Sequence, residues 1–381
     1  MQNYKMKKIL IVNNNLDMGG IQRSLINLLR EIHKEYDVTL LLFSRSGSLL
    51  DEVPETVKVI TPCKIYRILG LTKDELKKYP FLFVLKAFLI KYTALFSRRS
   101  AMKLLGLFQK KIKGYDVVIS YSHLPNHKYF GNGCGDFVLD HTVCQNKVCL
   151  IHCDYLHSGC MTEQNNAEYR EFHKIACCSD SVREGFIKGT NLPQSRVYTL
   201  RNFYNLDIIG LANNDPYIYD SHCINMVTVA RLSTEKGIDR AIDALFHSGR
   251  TDIKYYIIGD GQQKSILQDK IANYHMENQV FLLGEKQNPY RYMLNADYLL
   301  VPSLHEAAPM VFDEAKIIGL KIISTNTTSA KEMVDTTAGI VCDDIEDVKN
   351  TFANLEKNKS TNTHIVDNNS QKGQFERIVN G

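Results

Sequence analysis

Short apolar runs recur along this 381-residue chain, each closed by a polar or glycine-containing loop and many followed by residues at helical spacing. Lys8–Val12, Tyr36–Phe43, Thr56–Thr61, Tyr115–Ser120, Lys147–Ile151, Ile175–Cys178 and Val197–Leu200 make one series. A polar hinge near residue 203 and the breaker cluster Asn213-Asn214-Asp215-Pro216 follow. A second series then runs through Ile224–Ala230, Ile253–Ile258, Val280–Leu283, Tyr298–Val301, Lys321–Ser324 and Ile340–Cys342. Runs this short and this rich in β-branched residues suit strands buried on both faces of a parallel sheet. Between them, Leu25, Leu28, Leu29 and Ile32 share one helical face, as do Ile238, Ala241, Ile242 and Leu245. The alternation dictates an α/β chain, and its length exceeds one ordinary core. Domains are expected over 1–203 and 204–357, with a polar tail, 358–381, that docks on the first domain or is partly disordered. Ligand-contacting loops belong at the carboxyl ends of such strands.

The loop after Tyr298–Val301 is the most informative of these ends. It opens the stretch Ser303–Ser324, SLHEAAPMVFDEAKIIGLKIIS, in which Glu306 and Glu314 flank a Pro-Met-Val-Phe turn. Pro309 suits a first helical position, because its fixed φ and missing N–H cost nothing there. The amides of Met310, Val311 and Phe312 would then be unpaired donors at the positive end of a helix, a ready site for a phosphate. Glu314, one turn further in, is placed to accept bonds from sugar hydroxyls beside that phosphate. Gly319 ends the helix.

Two other loop ends carry chemistry. Arg231 closes a strand and Lys236 precedes a helix, so a planar fork and a point charge can converge on one anion. Near the amino terminus, Gly19 and Gly20 lie between a strand and a helix, where they permit close backbone approach to a ligand. The segment GGIQRS is not G-x-G-x-x-G, which weighs against a dinucleotide site.

Composition enters mainly as exclusions. A net charge of +4 is too small to argue for nucleic acid. The first lysines lead into only a short apolar run, so no secretion signal is expected, and no stretch of about 20 uncharged apolar residues offers a spanning helix. A cytoplasmic location follows as the expectation. Ten cysteines in such a chain imply a reducing compartment and free thiols. His141, Cys144, Cys149, His152, Cys153, His157 and Cys160 crowd one stretch, but no paired C-x2-C knuckle occurs. They read as buried strand cysteines with histidines at strand ends; neither metal nor cofactor is expected.

Pro80–Lys113 stands apart. Phe81, Leu82, Phe83, Val84, Leu85, Phe88, Leu89, Ile90, Leu95 and Phe96 are punctuated by Lys86, Lys91, Arg98, Arg99, Lys103, Lys110, Lys111 and Lys113, with no acid in the segment. A basic amphipathic helix of this kind suits peripheral contact with an anionic membrane, on the inner face of the cytoplasmic membrane. A core helix with a solvated basic edge is the alternative reading.

The spacing from Glu306 to Glu314, set in strand–loop–helix–strand order, resembles the E-x7-E signature of retaining, nucleotide-sugar-dependent glycosyltransferases of the GT-B fold, glycosyltransferase family 4. Arg231 and Lys236 stand at the spacing of that family's diphosphate-binding pair. Gly259 and Gly261 resemble its G-x-G turn under the nucleotide, and KVCLIHCDY resembles its strand-His motif, with His152 in the histidine's place. The resemblance implies two Rossmann-like βαβ domains facing a cleft. It implies transfer of a hexose or N-acetylhexosamine from a UDP-sugar, the commonest donor of the family, with retention and without a metal. Arg231, Lys236 and the amides of Met310, Val311 and Phe312 would hold the diphosphate, Gly19 and Gly20 would bring backbone against the diphosphate or the acceptor, Glu314 would hold the ribose, and Gly259 and Gly261 the nucleotide. Glu306 and His152 would meet the donor sugar as the catalytic pair. The acceptor implied is a lipid-linked or growing cell-surface polysaccharide: capsule, exopolysaccharide or lipopolysaccharide. The chain departs from the pattern at Ala307-Ala308-Pro309 and at Phe203, where glycine is common in the family. A non-catalytic GT-B scaffold is thus one alternative, and a glycoside hydrolase using the two glutamates is another.

Overall fold

A computed structural model describes residues 6–358 and 366–381. Residues 359–365, part of the expected polar tail, lie outside the described residues, as do residues 1–5. The chain divides into two compact units, residues 1–203 with 368–381 and residues 204–367.

The first unit carries a seven-stranded, all-parallel sheet in the order β3-β2-β1-β4-β5-β6-β7. Its strands are β1 Lys8–Asn13, β2 Asp37–Leu42, β3 Lys58–Ile60, β4 Val117–Ser120, β5 Asn146–Ile151, β6 Lys174–Cys177 and β7 Val197–Thr199. The strand order reverses between β1 and β4, so the loops leaving these two strands border the crevice where parallel sheets bind ligands. The helix Gly20–Ile32 buries Leu25, Leu28, Leu29 and Ile32 against the sheet, the face that the spacing predicts. The last helix, Asn369–Asn380, belongs to this unit and adds Phe375, Ile378 and Val379 to the same core. Lys7 and Lys174 fasten its end by donating to the Val379 and Ile378 carbonyls at 2.8 and 2.7 Å. Phe203, where the family pattern has glycine, is buried in this core, and Asn27 donates to its carbonyl at 2.9 Å.

The second unit carries a six-stranded parallel sheet in the order β10-β9-β8-β11-β12-β13. The strands are β8 Ile224–Val229, β9 Ile253–Ile258, β10 Val280–Gly284, β11 Tyr298–Val301, β12 Lys321–Thr325 and β13 Gly339–Cys342. Ile224 and Met226 face one apolar layer, with Ile238, Ala241, Ile242 and Leu245 of the helix Ile238–Ser248; Val227 faces the other, with Phe312 and Ala315. A sheet covered on both faces is why these strands read as unbroken apolar runs. Here the order reverses between β8 and β11.

The segment 80–113 departs from the expected single amphipathic helix. It forms two helices, Pro80–Leu95 and Arg98–Leu105, the second capped where Ser97 Oγ accepts from the Ser100 amide at 3.2 Å. The first buries only Leu89 and Thr93, leaving Phe81 74%, Val84 67% and Leu95 76% exposed. Apolar residues fall on every side of it. Two cations assigned to the membrane edge do not reach it. Arg98 is fully buried, paired with Asp136 at 3.2 Å and with Glu168, and Arg99 pairs with Glu171 and, at 3.2 Å, with Asp140. Acids missing from the segment itself are thus supplied by the helices Cys134–His141 and Glu163–Tyr169 and the turn after the latter. No helix is long and apolar enough to cross a membrane among the described residues.

Candidate functional site

The predicted residues of the second unit gather at its strand-order reversal. Beyond β8 the chain makes a single turn, Thr234–Lys236, before Gly237 starts the next helix. Beyond β11 it runs through Pro302–Pro309 into the helix Met310–Ile318. The two loops are stitched together. The Leu304 amide donates to the Glu235 carbonyl at 2.8 Å. Gly237 has φ +61°, and a Cβ there would lie 2.2 Å from the Pro302 carbonyl oxygen. No other residue fits this left-handed, close-packed position without displacing backbone.

This stitching sets side chain against side chain. Lys236 Nζ donates to Glu306 Oε1 at 2.5 Å, and Ser303 Oγ donates to the same oxygen at 2.9 Å. Both members of the ion pair are partly shielded, with side chains 24% and 14% exposed. Arg231 is exposed just beyond the strand end. Burial would raise the nearby Glu235 carboxyl, but the Ser233 hydroxyl, a backbone amide and the charges of Lys236 and Arg231 outweigh it and hold that carboxyl below its usual value.

Gly259 and Gly261 lie under the Arg231 loop. A Cβ on Gly259 would fall 1.9 Å from the Ala230 carbonyl oxygen, and one on Gly261 2.3 Å from that of Leu232. The two loops also exchange bonds: the Leu232 amide donates to the Asp260 carbonyl and the Gln263 amide to that of Leu232, both at 2.9 Å. These glycines let the loop after β9 press against the loop after β8, whatever else they contact.

At the helix start the structure corrects two expectations. Pro309 is the capping residue with extended backbone (ψ 120°), and Met310 opens the helix. The Phe312 amide is not an unpaired donor; it bonds to the Pro309 carbonyl at 3.1 Å, and the Phe312 ring is fully buried. The tight first turn supplies an acceptor three residues back, which leaves the Met310 and Val311 amides as those lacking an intrahelical acceptor. Glu314 accepts from the Tyr290 hydroxyl at 3.1 Å. Tyr290, buried on the short helix Tyr290–Met293, carries no sequence signal of this role. Ser303 and Gly237 were also missed, although Gly237 directly follows the predicted lysine.

In the first unit, Gly19 caps the helix Gly20–Ile32 in extended backbone, and a Cβ on Gly20 would meet nothing. The loop after β4 lies over β1: Tyr121 donates its amide to the Val12 carbonyl at 3.0 Å, and its hydroxyl lies 2.9 Å from Ser24 Oγ. His152, the first residue beyond β5, sets its ring 5.2 Å from that of Tyr121, and its buried Nε2 has no partner among the described residues. Burial, with the His123 charge second, pushes its imidazole down to about 3, so the ring is neutral near pH 7.

Comparisons with known proteins agree with this architecture. Residues 224–372 match the family model described as glycosyl transferases group 1. An uncharacterized glycosyltransferase of Methanocaldococcus jannaschii is 28% identical over 33% of the chain, which spans 32% of that protein's length. Across 86% of the chain and 83% of its own length, the N-acetylgalactosamine-N,N'-diacetylbacillosaminyl-diphospho-undecaprenol 4-alpha-N-acetylgalactosaminyltransferase of Campylobacter jejuni is 24% identical. The crystal structure of Anabaena HepE in complex with UDP superposes with a TM-score of 0.61 at 15% identity, covering 98% of this chain and 93% of that one. The region of the second sheet thus matches the glycosyl transferases group 1 family, and the chain has the GT-B fold.

Proposed function

We propose that the protein is a retaining glycosyltransferase that moves a hexose or N-acetylhexosamine from a UDP-sugar to a lipid-linked or growing polysaccharide. The observation that carries this reading is the Lys236–Glu306 pair at the strand-order reversal of the second sheet, one turn ahead of a helix start. The hard step is departure of a nucleoside diphosphate, whose developing charge needs fixed positive partners. Arg231, Lys236 and the Met310 and Val311 amides supply these, so the diphosphate requires no bridging metal. Glu314, steadied by Tyr290, holds the ribose, and Gly259 and Gly261 underlie the nucleotide. Glu306 contacts the donor sugar while orienting Lys236. From the first unit, His152 contributes a neutral imidazole and Gly19 and Gly20 an open stretch of backbone. Among the glutamates and histidines named, none is assigned as a covalent nucleophile, and the acceptor hydroxyl attacks on the face the diphosphate leaves. UDP as the nucleotide is supported by the UDP bound in the Anabaena structure. A lipid-linked acceptor is supported by the diphospho-undecaprenol named for the Campylobacter relative.

Peripheral membrane contact belongs to the same reading. A helix with its phenylalanines in solvent, flanked by exposed Lys91, Lys103, Lys110 and Lys111, would seat in the headgroup region beside a lipid-linked acceptor. The direct experiment screens nucleotide sugars for thermal stabilisation of the purified protein, then measures nucleoside diphosphate release with a lipid-linked acceptor. A stabilising donor that is never turned over would sink the enzyme reading in favour of a scaffold.

A further inference from the structure

Two thiols and an imidazole converge in the first unit. His123 lies three residues beyond β4, Cys153 two beyond β5, and Cys160 further along the same loop. One ligand atom from each can be chosen so that all three lie within 4.8 Å of one another. Of the cysteines and histidines crowded into residues 141–160, only Cys153 and Cys160 meet in this way; His123 comes from outside that stretch.

Bonds that are not their own hold these residues together. Fully buried Asn165 donates to the Pro125 carbonyl at 2.8 Å and to the Cys160 carbonyl at 2.7 Å, clamping the His123 loop to the Cys160 loop. Asn126 repeats the clamp by donating to the Gly159 carbonyl at 2.7 Å. Within the loop, Asp154 Oδ1 accepts from the Leu156 and His157 amides at 3.2 and 3.3 Å, and Gly159 turns back at φ +72° to return Cys160 towards Cys153. The scaffold around the three donors is thus already built, as a preorganised metal site requires.

We propose that His123, Cys153 and Cys160 bind a soft divalent metal ion, Zn2+ by donor set and geometry, as a clamp on the loop that begins with His152. Two sulfurs and one nitrogen, with no carboxylate, select zinc over magnesium or calcium. Bonds of about 2.3 Å to sulfur and 2.0 Å to nitrogen would set tetrahedral ligand atoms about 3.5–3.8 Å apart. The ligand atoms already lie within 4.8 Å of one another, so closing the cluster to that spacing shortens their separations by roughly 1 Å. Both thiol protons leave to solvent when the ion binds, and the fourth position is taken by water. The role is positioning: the ion fixes the loop, and the loop carries His152.

The test uses the full chain, reduced and stripped with a chelator, then titrated with Zn2+ and separately with Co2+. One Zn2+ should bind per chain, raise Tm with the logarithm of its free concentration above Kd and protect Cys153 and Cys160 from a thiol reagent. Co2+ should give a thiolate-to-cobalt charge-transfer band. Cys153→Ser and Cys160→Ser should abolish the band, and His123→Gln should weaken binding while retaining it. The cobalt spectrum and thiol protection of the unaltered chain decide the matter even if a variant fails to fold. Absence of the band, unchanged thiol reactivity with Zn2+, or a Cys153–Cys160 disulfide that forms in preference to metal uptake would each overturn the proposal.

Discussion

Lys236 Nζ and Glu306 Oε1 meet at 2.5 Å, closing an ion pair between the loops that leave β8 and β11. A donor diphosphate would compete with Glu306 for that ammonium. Lys236→Ala should therefore weaken UDP-sugar binding by roughly 10- to 100-fold, the scale of one charge-assisted contact. Glu306→Gln separates the two roles. It keeps the bond from Ser303 but releases Lys236, so UDP should bind as tightly or more tightly while sugar transfer falls. Calorimetry with UDP and a nucleotide-release assay would see this split. Loss of UDP binding in Glu306→Gln would mean that the carboxylate orders the loops rather than the sugar.

Gly237 and Gly20 offer a contrast in what a methyl group costs. Gly237→Ala places a Cβ 2.2 Å from the Pro302 carbonyl at a left-handed φ. The backbone term alone is about 1–2 kcal/mol, and the clash adds to it. A drop in melting temperature of several degrees is expected for the second unit. Gly20→Ala meets open space and should leave stability within about 0.5 kcal/mol. If that space admits ligand, the same substitution lowers transfer activity with folding intact. A large stability loss at Gly20 would show the position to be structural.

These glycines also show what a sequence can reveal. Every strand was readable to within two residues, because a parallel sheet covered on both faces leaves unbroken apolar runs. Glu306, Lys236 and Glu314 could be singled out because strand ends and helix starts are local signals. Their pairings could not. Lys236 reads as a cation for a donor anion, but nothing in its own stretch says that it also holds Glu306, a residue 70 positions away. Tyr290 reaches Glu314 from a separate short helix. Arg98 reads as a surface cation beside apolar residues, and only the fold brings Asp136 and Glu168 to it. Contacts between elements depend on register and crossing geometry, which no spacing rule within one element contains.

The buried Arg98 cluster makes a pH prediction. Burial raises the Asp136 carboxyl to about 6 against the opposing pull of Arg98, with Glu168 and Asp140 adding to the rise. Its unfolded value is near 3.8. A folded-state pKa above the unfolded one means that the native state holds the extra proton between these limits. Stability from this group is therefore greatest at the acid end and is lost as pH rises from about 4 through 6. Asp136→Asn mimics the protonated form and should flatten that slope in melting temperature measured across the window. An unchanged slope would assign the proton elsewhere in the cluster.

The exposed helix Pro80–Leu95 supplies the last prediction. Membrane seating by apolar insertion and by basic attraction respond differently to substitution and salt. Phe81 and Phe88 are 74% and 53% exposed, and Phe108, beyond the following helix, is 88% exposed. Burying such a ring in the headgroup boundary is worth about 1.5–3 kcal/mol. Replacing all three with serine should cut partitioning onto anionic vesicles by at least about 100-fold while melting temperature holds, since none of the three is in the core. Charge reversal at exposed Lys91, Lys103 and Lys110 should weaken binding less, and only at low salt, where surface charges act over a longer range. Arg98→Glu, by contrast, should unfold the first unit, because it sets a third buried carboxylate beside Asp136 and Glu168. Flotation with and without anionic lipid would rank these effects. Unchanged flotation in the triple serine variant would leave those rings in solvent for another partner.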